Sequence, residues 1–207
     1  MAKLKAVQLL RTTNSITEAI KEQTQSRTNP TSDEIDYFWF KLCEERYKYD
    51  FEFFAISCIT IRDKETANYI RFKLNPAQQL LLTELEKQRL EGRQINIQIL
   101  KAKQMGFSTL VQMYMKWIQV IHKKNWNSVI CAQDLTAAIN IRSMYDHSIN
   151  EMPPINGVKM TIGSFGGTTN IKEIPERGCR ITVGTAQKPE TVRSQDLKMA
   201  HLSEMAF

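Results

Sequence analysis

Residues Ile95 to Thr109 read INIQILKAKQMGFST: apolar and polar residues alternate, then two lysines and a glycine, then a helix start. Ile95, Ile97 and Ile99 fall on one face of a strand by the two-residue period, and Ser108 and Thr109 open a long apolar-rich segment with helical character. A strand that turns through a short glycine-containing loop into a helix has the layout of a phosphate-binding loop. Its helix start offers unpaired backbone N–H groups and the positive end of a dipole. The spelling departs from the standard G-x-x-x-x-G-K-[ST]. Gly106 and Ser108 match it, whereas Lys101 stands for the first glycine and Phe107 for the lysine.

The flanking sequence places this loop in an α/β alternation. Upstream, Asn75 before Pro76 spells an N-cap with proline at the first helical position, and Gly92 closes that helix about four turns later. Downstream, a helix from about Ser108 to His122 leads through the basic turn KKNWN to an apolar strand from Ser128 to Ala132. Asp134 then caps a helix reaching about Asn150. Short strands are expected around Lys159 to Ile162, Asn170 to Ile174 and Arg180 to Gly184, with Lys198 to Ser203 as the last. The alternation of strand and helix up to about Asn150 implies a parallel sheet with crossovers, and after Pro153 and Pro154 the pattern changes to these short strands separated by glycine turns.

The N-terminal region has a different character. Ser15 with Glu18 and Thr31 with Glu34 spell two capping boxes, separated by the polar linker Thr24 to Pro30. Aromatic residues then accumulate: Tyr37, Phe38, Trp39, Phe40, Phe51, Phe53 and Phe54. At helical spacing such a stripe forms core or a docking face. The expected organisation is a helical N-terminal element and linker over 1–74 and an α/β domain over 75–207.

A chain of 207 residues is long enough to bury one full core. No apolar run is long enough to span a bilayer, and the first residues lack the apolar core and cleavage site of a signal peptide, so an intracellular protein is expected. Cys43, Cys58, Cys131 and Cys179 are scattered without metal spacing, and His122, His147 and His201 are equally isolated, so buried free thiols and no zinc site are expected. The net charge of +6 leans toward polyanionic partners. At the far end LKMAHLSEMAF reads as an apolar strand presenting Ser203 and Glu204 at its carboxyl edge. That edge is where ligands of parallel sheets sit and where an NTPase needs a base to orient water.

Taken together, FKLNPAQQLLL (72–82), KAKQMGFST (101–109) and HLSEMAF (201–207) resemble the glutamine motif, a variant Walker A loop and a Walker B strand. The set is similar to the N-terminal ATPase domain of the terminase large subunit of tailed bacteriophages, the motor that packages double-stranded DNA into procapsids. The resemblance runs from about Tyr49 to Phe207 and includes the approach GTAQKPETVRSQDLKMAHLSE, in which Arg193 precedes a small residue. It implies a P-loop NTPase fold of the RecA-like, ASCE type, with a parallel sheet flanked by helices. ATP and magnesium are the implied cofactors.

Carried over residue by residue, Gln78 would read adenine, with Gln79 as the adjacent alternative. Gln104, Met105, Gly106, Phe107, Ser108 and Thr109 would enclose the phosphates, and Ser108 would meet magnesium. Lys101 fills the family's alternative position for the phosphate lysine, and Lys103 is the second candidate. Glu204 would be the catalytic carboxylate, and Ser203 stands where an aspartate normally helps hold hydrated magnesium. The implied partners are double-stranded DNA, a portal protein, a small terminase subunit and further copies of the chain in a ring, with no membrane, in the host cytoplasm. A terminase large subunit continues into the rest of the sheet and an RNase H-like nuclease domain, so an N-terminal fragment with an incomplete sheet is expected. Two rival readings share the same residues: a helicase-like DNA-remodelling ATPase, and a non-catalytic binding module with a degenerate loop.

Overall fold

The computed structural model describes residues 32–63, 65–100, 102, 104–185 and 196–203. The linker from Thr24 to Pro30 and the capping residues Ser15 and Thr31 lie outside them. The chain divides into two compact units, with the boundary between Phe54 and Ala55. In the first, helix α1 (Ser32–Arg46) leads to the start of helix α2 (Phe51–Cys58), which crosses the boundary. The junction between them is held locally. Arg46 pairs with Asp50 at 2.9 Å and lies 3.9 Å over the Phe53 ring, and Tyr47 stacks on Phe53 at 5.6 Å. Part of the aromatic stripe is core, since Phe51 and Phe54 are buried, whereas Tyr37 and Phe40 are exposed.

The second unit begins with a hairpin of β1 (Thr60–Arg62) and β2 (Tyr69–Arg71). It continues through helix α3 (Pro76–Leu90), helix α4 (Phe107–Trp117), strand β3 (Asn127–Ala132) and helix α5 (Leu135–Asn150). Strands β4 (Gly163–Ser164), β5 (Ile171–Ile174), β6 (Cys179–Thr185) and β7 (Leu197–Leu202) complete it. Among the described residues, the helix-end signals at Asn75, Asp134 and Gly92 form as spelled. Asn75 accepts from the Gln78 N–H, Asp134 accepts from the Ala137 N–H, and Gly92 follows α3 at a positive φ of 69°. After Trp117 helix α4 passes into a π turn over Ile118–His122, closed by Lys123 N–H donating to the Ile118 carbonyl at 2.8 Å.

Five strands form one sheet in the order β4-β5-β6-β3-β7, and it is mixed rather than parallel as expected. β3 pairs parallel with both β6 and β7, whereas β5–β6 and β4–β5 are antiparallel. The connections explain the difference. Only Pro175–Gly178 separates β5 from β6, and a link this short cannot make the crossover that a parallel pair requires. β3 and β6 are the buried centre, with Ile130, Ile181 and Thr182 fully enclosed, while β7 alternates between half-buried and exposed residues as an edge strand does. The strand expected around Lys159 to Ile162 does not form; the chain makes a small Ile155–Val158 bridge and then β4.

The strand expected from Ile95 to Leu100 does not form either. Those residues adopt no regular structure, Ile95 and Ile99 are exposed, and Leu100 is fully so. Alternation names the face a strand would bury, but a strand exists only where a neighbour completes its hydrogen bonds, and among the described residues none pairs with this segment. Its entry is fixed instead by the Gln88 side chain, which accepts from Asn96 N–H at 3.1 Å.

Helices α3 and α4 are locked together across their facing sides. Tyr114 donates to Glu86 at 2.6 Å, Glu86 also receives Arg89 at 2.7 Å, and the Arg89 guanidinium lies 5.1 Å from the Trp117 ring centre. Burial and the Glu86 contact hold the Tyr114 phenol neutral by pushing its pKa up. On the other side of α4, Lys116 is fully buried and donates to the Ser148 carbonyl in the last turn of α5 at 3.2 Å. Burial draws its pKa down to about 7. Among the described cysteines, all free, Cys58 and Cys179 are buried as expected and Cys43 and Cys131 are only partly so. No helix among the described residues is long and apolar enough to cross a membrane.

Candidate phosphate-binding site

The loop before α4 is built by two helix starts that meet. Helix α3 begins with a complete capping box: Asn75 Oδ1 accepts from Gln78 N–H and Gln78 Oε1 accepts from Asn75 N–H, both at 2.9 Å. The donor end of each side-chain amide reaches the loop. Gln78 Nε2 donates to the Gly106 carbonyl at 2.8 Å and Asn75 Nδ2 to the Met105 carbonyl at 3.3 Å. Gly106 sits at φ 73°, in the left-handed region that glycine adopts without strain, and Gln104 turns the chain through φ 65° just before it.

Helix α4 starts at Phe107, one residue before the expected Ser108, and its N-cap Gly106 supplies no side-chain hydrogen bond. The first N–H groups of any helix lack an intrahelical acceptor, so those of Phe107, Ser108 and Thr109 are the donors offered at this end. Phe107, Ser108 and Thr109 are all half-buried, and Gln104 is exposed.

Ser203 follows the last residue of β7, where its N–H donates to the Cys131 carbonyl at the end of β3, 2.9 Å away. That bond aims its hydroxyl at α4. Ser108 Oγ and Ser203 Oγ lie 3.2 Å apart. Residues 95 positions apart are thus brought together at the carboxyl end of the parallel pair β3/β7, the end at which open α/β sheets bind ligands.

Of the residues read from sequence, the structure gathers Gln78, Met105, Gly106, Ser108 and Ser203 around the start of α4. Gln79, in the first turn of α3, is exposed. Lys101, Lys103, Glu204 and Arg193 lie outside the described residues. Asn75 was legible as an N-cap but not as a loop contact. The available signal was its amide, because a capping Asn uses only its oxygen and leaves an N–H₂ to donate elsewhere.

The donor set fits a phosphate and a hydrated magnesium. Open helix N–H groups and a left-handed glycine suit the anion. Two adjacent hydroxyls suit a cation that keeps most of its water, since magnesium dehydrates reluctantly. Among the described residues no group of three or more His, Cys, Asp or Glu side chains gathers into a metal site.

A second, open concavity is lined by Ile139, Arg142, Asp146, His147, Thr169 and Lys172, toward the far end of α5. Its cations are already satisfied, Lys172 by Asp146 at 2.8 Å and Arg142 by Asn170 at 2.7 Å. His147 is held between Thr60, at 3.0 Å, and the stacked Tyr69 ring. It is therefore the weaker candidate for an anion. No family model and no curated protein matches this chain.

Proposed function

We propose that the chain is the ATP-binding and ATP-hydrolysing part of a terminase large subunit, a P-loop motor that drives double-stranded DNA into viral procapsids. The observation that carries this reading is the 3.2 Å approach of Ser108 Oγ and Ser203 Oγ. It joins the phosphate loop to the strand end from which an NTPase draws its metal-holding and catalytic groups.

In this reading the N–H groups at the start of α4 receive the phosphates, with Lys101 or Lys103 adding positive charge. Ser108 and Ser203 are the described residues whose hydroxyls would hold magnesium and its water. Magnesium, when bound, draws charge from the phosphate oxygens. Glu204, directly after Ser203, orients the attacking water and takes its proton. The net charge of +6 suits a DNA-handling protein whose affinity falls with salt. A portal protein, a small subunit and further copies of the chain in a ring are the partners that complete the motor.

Calorimetric titration with ATP tests the reading. ATP should bind more tightly with magnesium than without, and Ser108→Ala should remove most of that magnesium dependence while leaving metal-free binding in place. A chain that binds no ATP under either condition refutes the proposal.

A further inference from the structure

We infer that Gln78 is a positioning residue of the phosphate loop and that it does not read the base of the nucleotide. The inference rests on the proposal that this loop receives a triphosphate, and it departs from the adenine-reading role expected of Gln78. Its side chain is buried, with 4 % exposure, and both ends of the amide are in use. The oxygen takes the Asn75 N–H at 2.9 Å and the nitrogen gives to the Gly106 carbonyl at 2.8 Å. To meet an adenine edge the amide would have to leave the capping box of α3 and release the loop together.

What the two bonds accomplish follows from peptide geometry. In a trans peptide the C=O and the N–H point in opposite directions. Gln78 joins Leu110 N–H, at 3.1 Å, in holding the carbonyl of the Gly106–Phe107 peptide, and Asn75 holds that of Met105–Gly106. The N–H groups of Gly106 and Phe107 are thereby turned away from α3, as anion donors must be. A Cβ on Gly106 would lie 2.7 Å from Gln78 Nε2, so a side chain there would displace the amide. The capping box thus sets the orientation of loop donors that come 28 residues later.

Gln78→Glu separates the two jobs. A glutamate keeps the cap, as the acceptor that a capping box ordinarily uses, but has no N–H to hold Gly106. Gln78→Met controls for the added charge. Affinities of the wild type and both variants for ATP, GTP and tripolyphosphate, with melting temperatures, form the test.

The expected result is a loss of about tenfold for all three ligands in both variants, the scale of one net hydrogen bond, with the ATP-to-GTP ratio unchanged. Gln78→Glu should melt below the wild type, because it buries a carboxylate against the Gly106 carbonyl, so the affinities are compared at a temperature where both variants are folded. Collapse of the ATP-to-GTP ratio with tripolyphosphate binding intact would mean that Gln78 reads the base. Unchanged affinity in Gln78→Glu would reduce the residue to a helix cap, and a loss confined to that variant would assign the effect to charge. Each of these overturns the inference. If the wild type binds none of the ligands, the nucleotide reading has failed, and amide exchange still judges the clamp: Leu110 N–H, which donates to the same Gly106 carbonyl at 3.1 Å, should exchange faster in both variants, and an unchanged rate overturns it.

Discussion

Gly106→Ala is the sharpest probe of the loop, because the structure supplies its own control. Gly106 and Gly92 have nearly the same backbone, φ 73° and 69°, but a Cβ at Gly106 would meet Gln78 Nε2 at 2.7 Å whereas one at Gly92 would meet nothing within 4 Å. Placing an L-residue in the left-handed region costs about 1–2 kcal/mol at either site. The reduction in unfolded-chain freedom is the same for both and cancels. Only Gly106→Ala also displaces the Gln78 amide from the Gly106 carbonyl, a net loss of about 0.5–1.5 kcal/mol. Urea unfolding should therefore rank Gly106→Ala below Gly92→Ala by about 1 kcal/mol, with equal denaturant slopes. If the loop yields locally instead of destabilising the whole unit, the same free energy appears as weaker ATP binding, about tenfold per 1.4 kcal/mol. Equal stability and equal ATP affinity in the two variants would show that the loop does not rest against Gln78.

Lys116→Met should stabilise the protein in a pH-dependent way. The folded pKa of Lys116, about 7, lies below its ordinary 10.5, so the folded chain sheds this proton first and wild-type stability climbs as pH rises from about 7 to about 10.5. Burial of the charged form corresponds to on the order of 3–5 kcal/mol, so the advantage of Lys116→Met should be largest below about pH 7 and shrink by about pH 10. A stability difference that stays constant between these pH values would contradict the burial argument. Glu204→Gln should retain ATP binding and lower hydrolysis by about 10² to 10⁴, measured as phosphate release in the longest chain that hydrolyses ATP. In the same assay Lys101→Ala should abolish turnover more completely than Lys103→Ala, and the reverse order would exchange the two roles.

What could be read in the sequence was local. The caps at Asn75 and Asp134 rest on contacts three residues apart, so the letters that make them are adjacent in the chain. Strand β3 declared itself as an apolar run because both of its faces are covered, and β6 as a short strand between glycine turns. The overall expectation of a parallel sheet left out the reversal of β5 against β6, although its signal was present: the four residues from Pro175 to Gly178 suffice for a reversal and not for a crossover. The segment from Ile95 to Leu100 failed for another reason. Its alternation is real, but pattern carries no information about which strand will lie alongside.

The candidate site shows the same division between local and long-range information. Ser108 and Ser203 could be named from motif order, yet their approach to 3.2 Å depends on β7 settling beside β3 and on one bond from Ser203 N–H to the Cys131 carbonyl. Two helix starts then acquire opposite chemistry by touching. The first turn of α3 satisfies its own donors with Asn75 and Gln78 and uses what remains of those amides to hold two loop carbonyls. The first turn of α4 receives no side-chain cap, so its backbone donors stay open for an anion. One helix start is a structural cap and the other a candidate anion site, and the same four residues, Asn75, Gln78, Met105 and Gly106, separate the two.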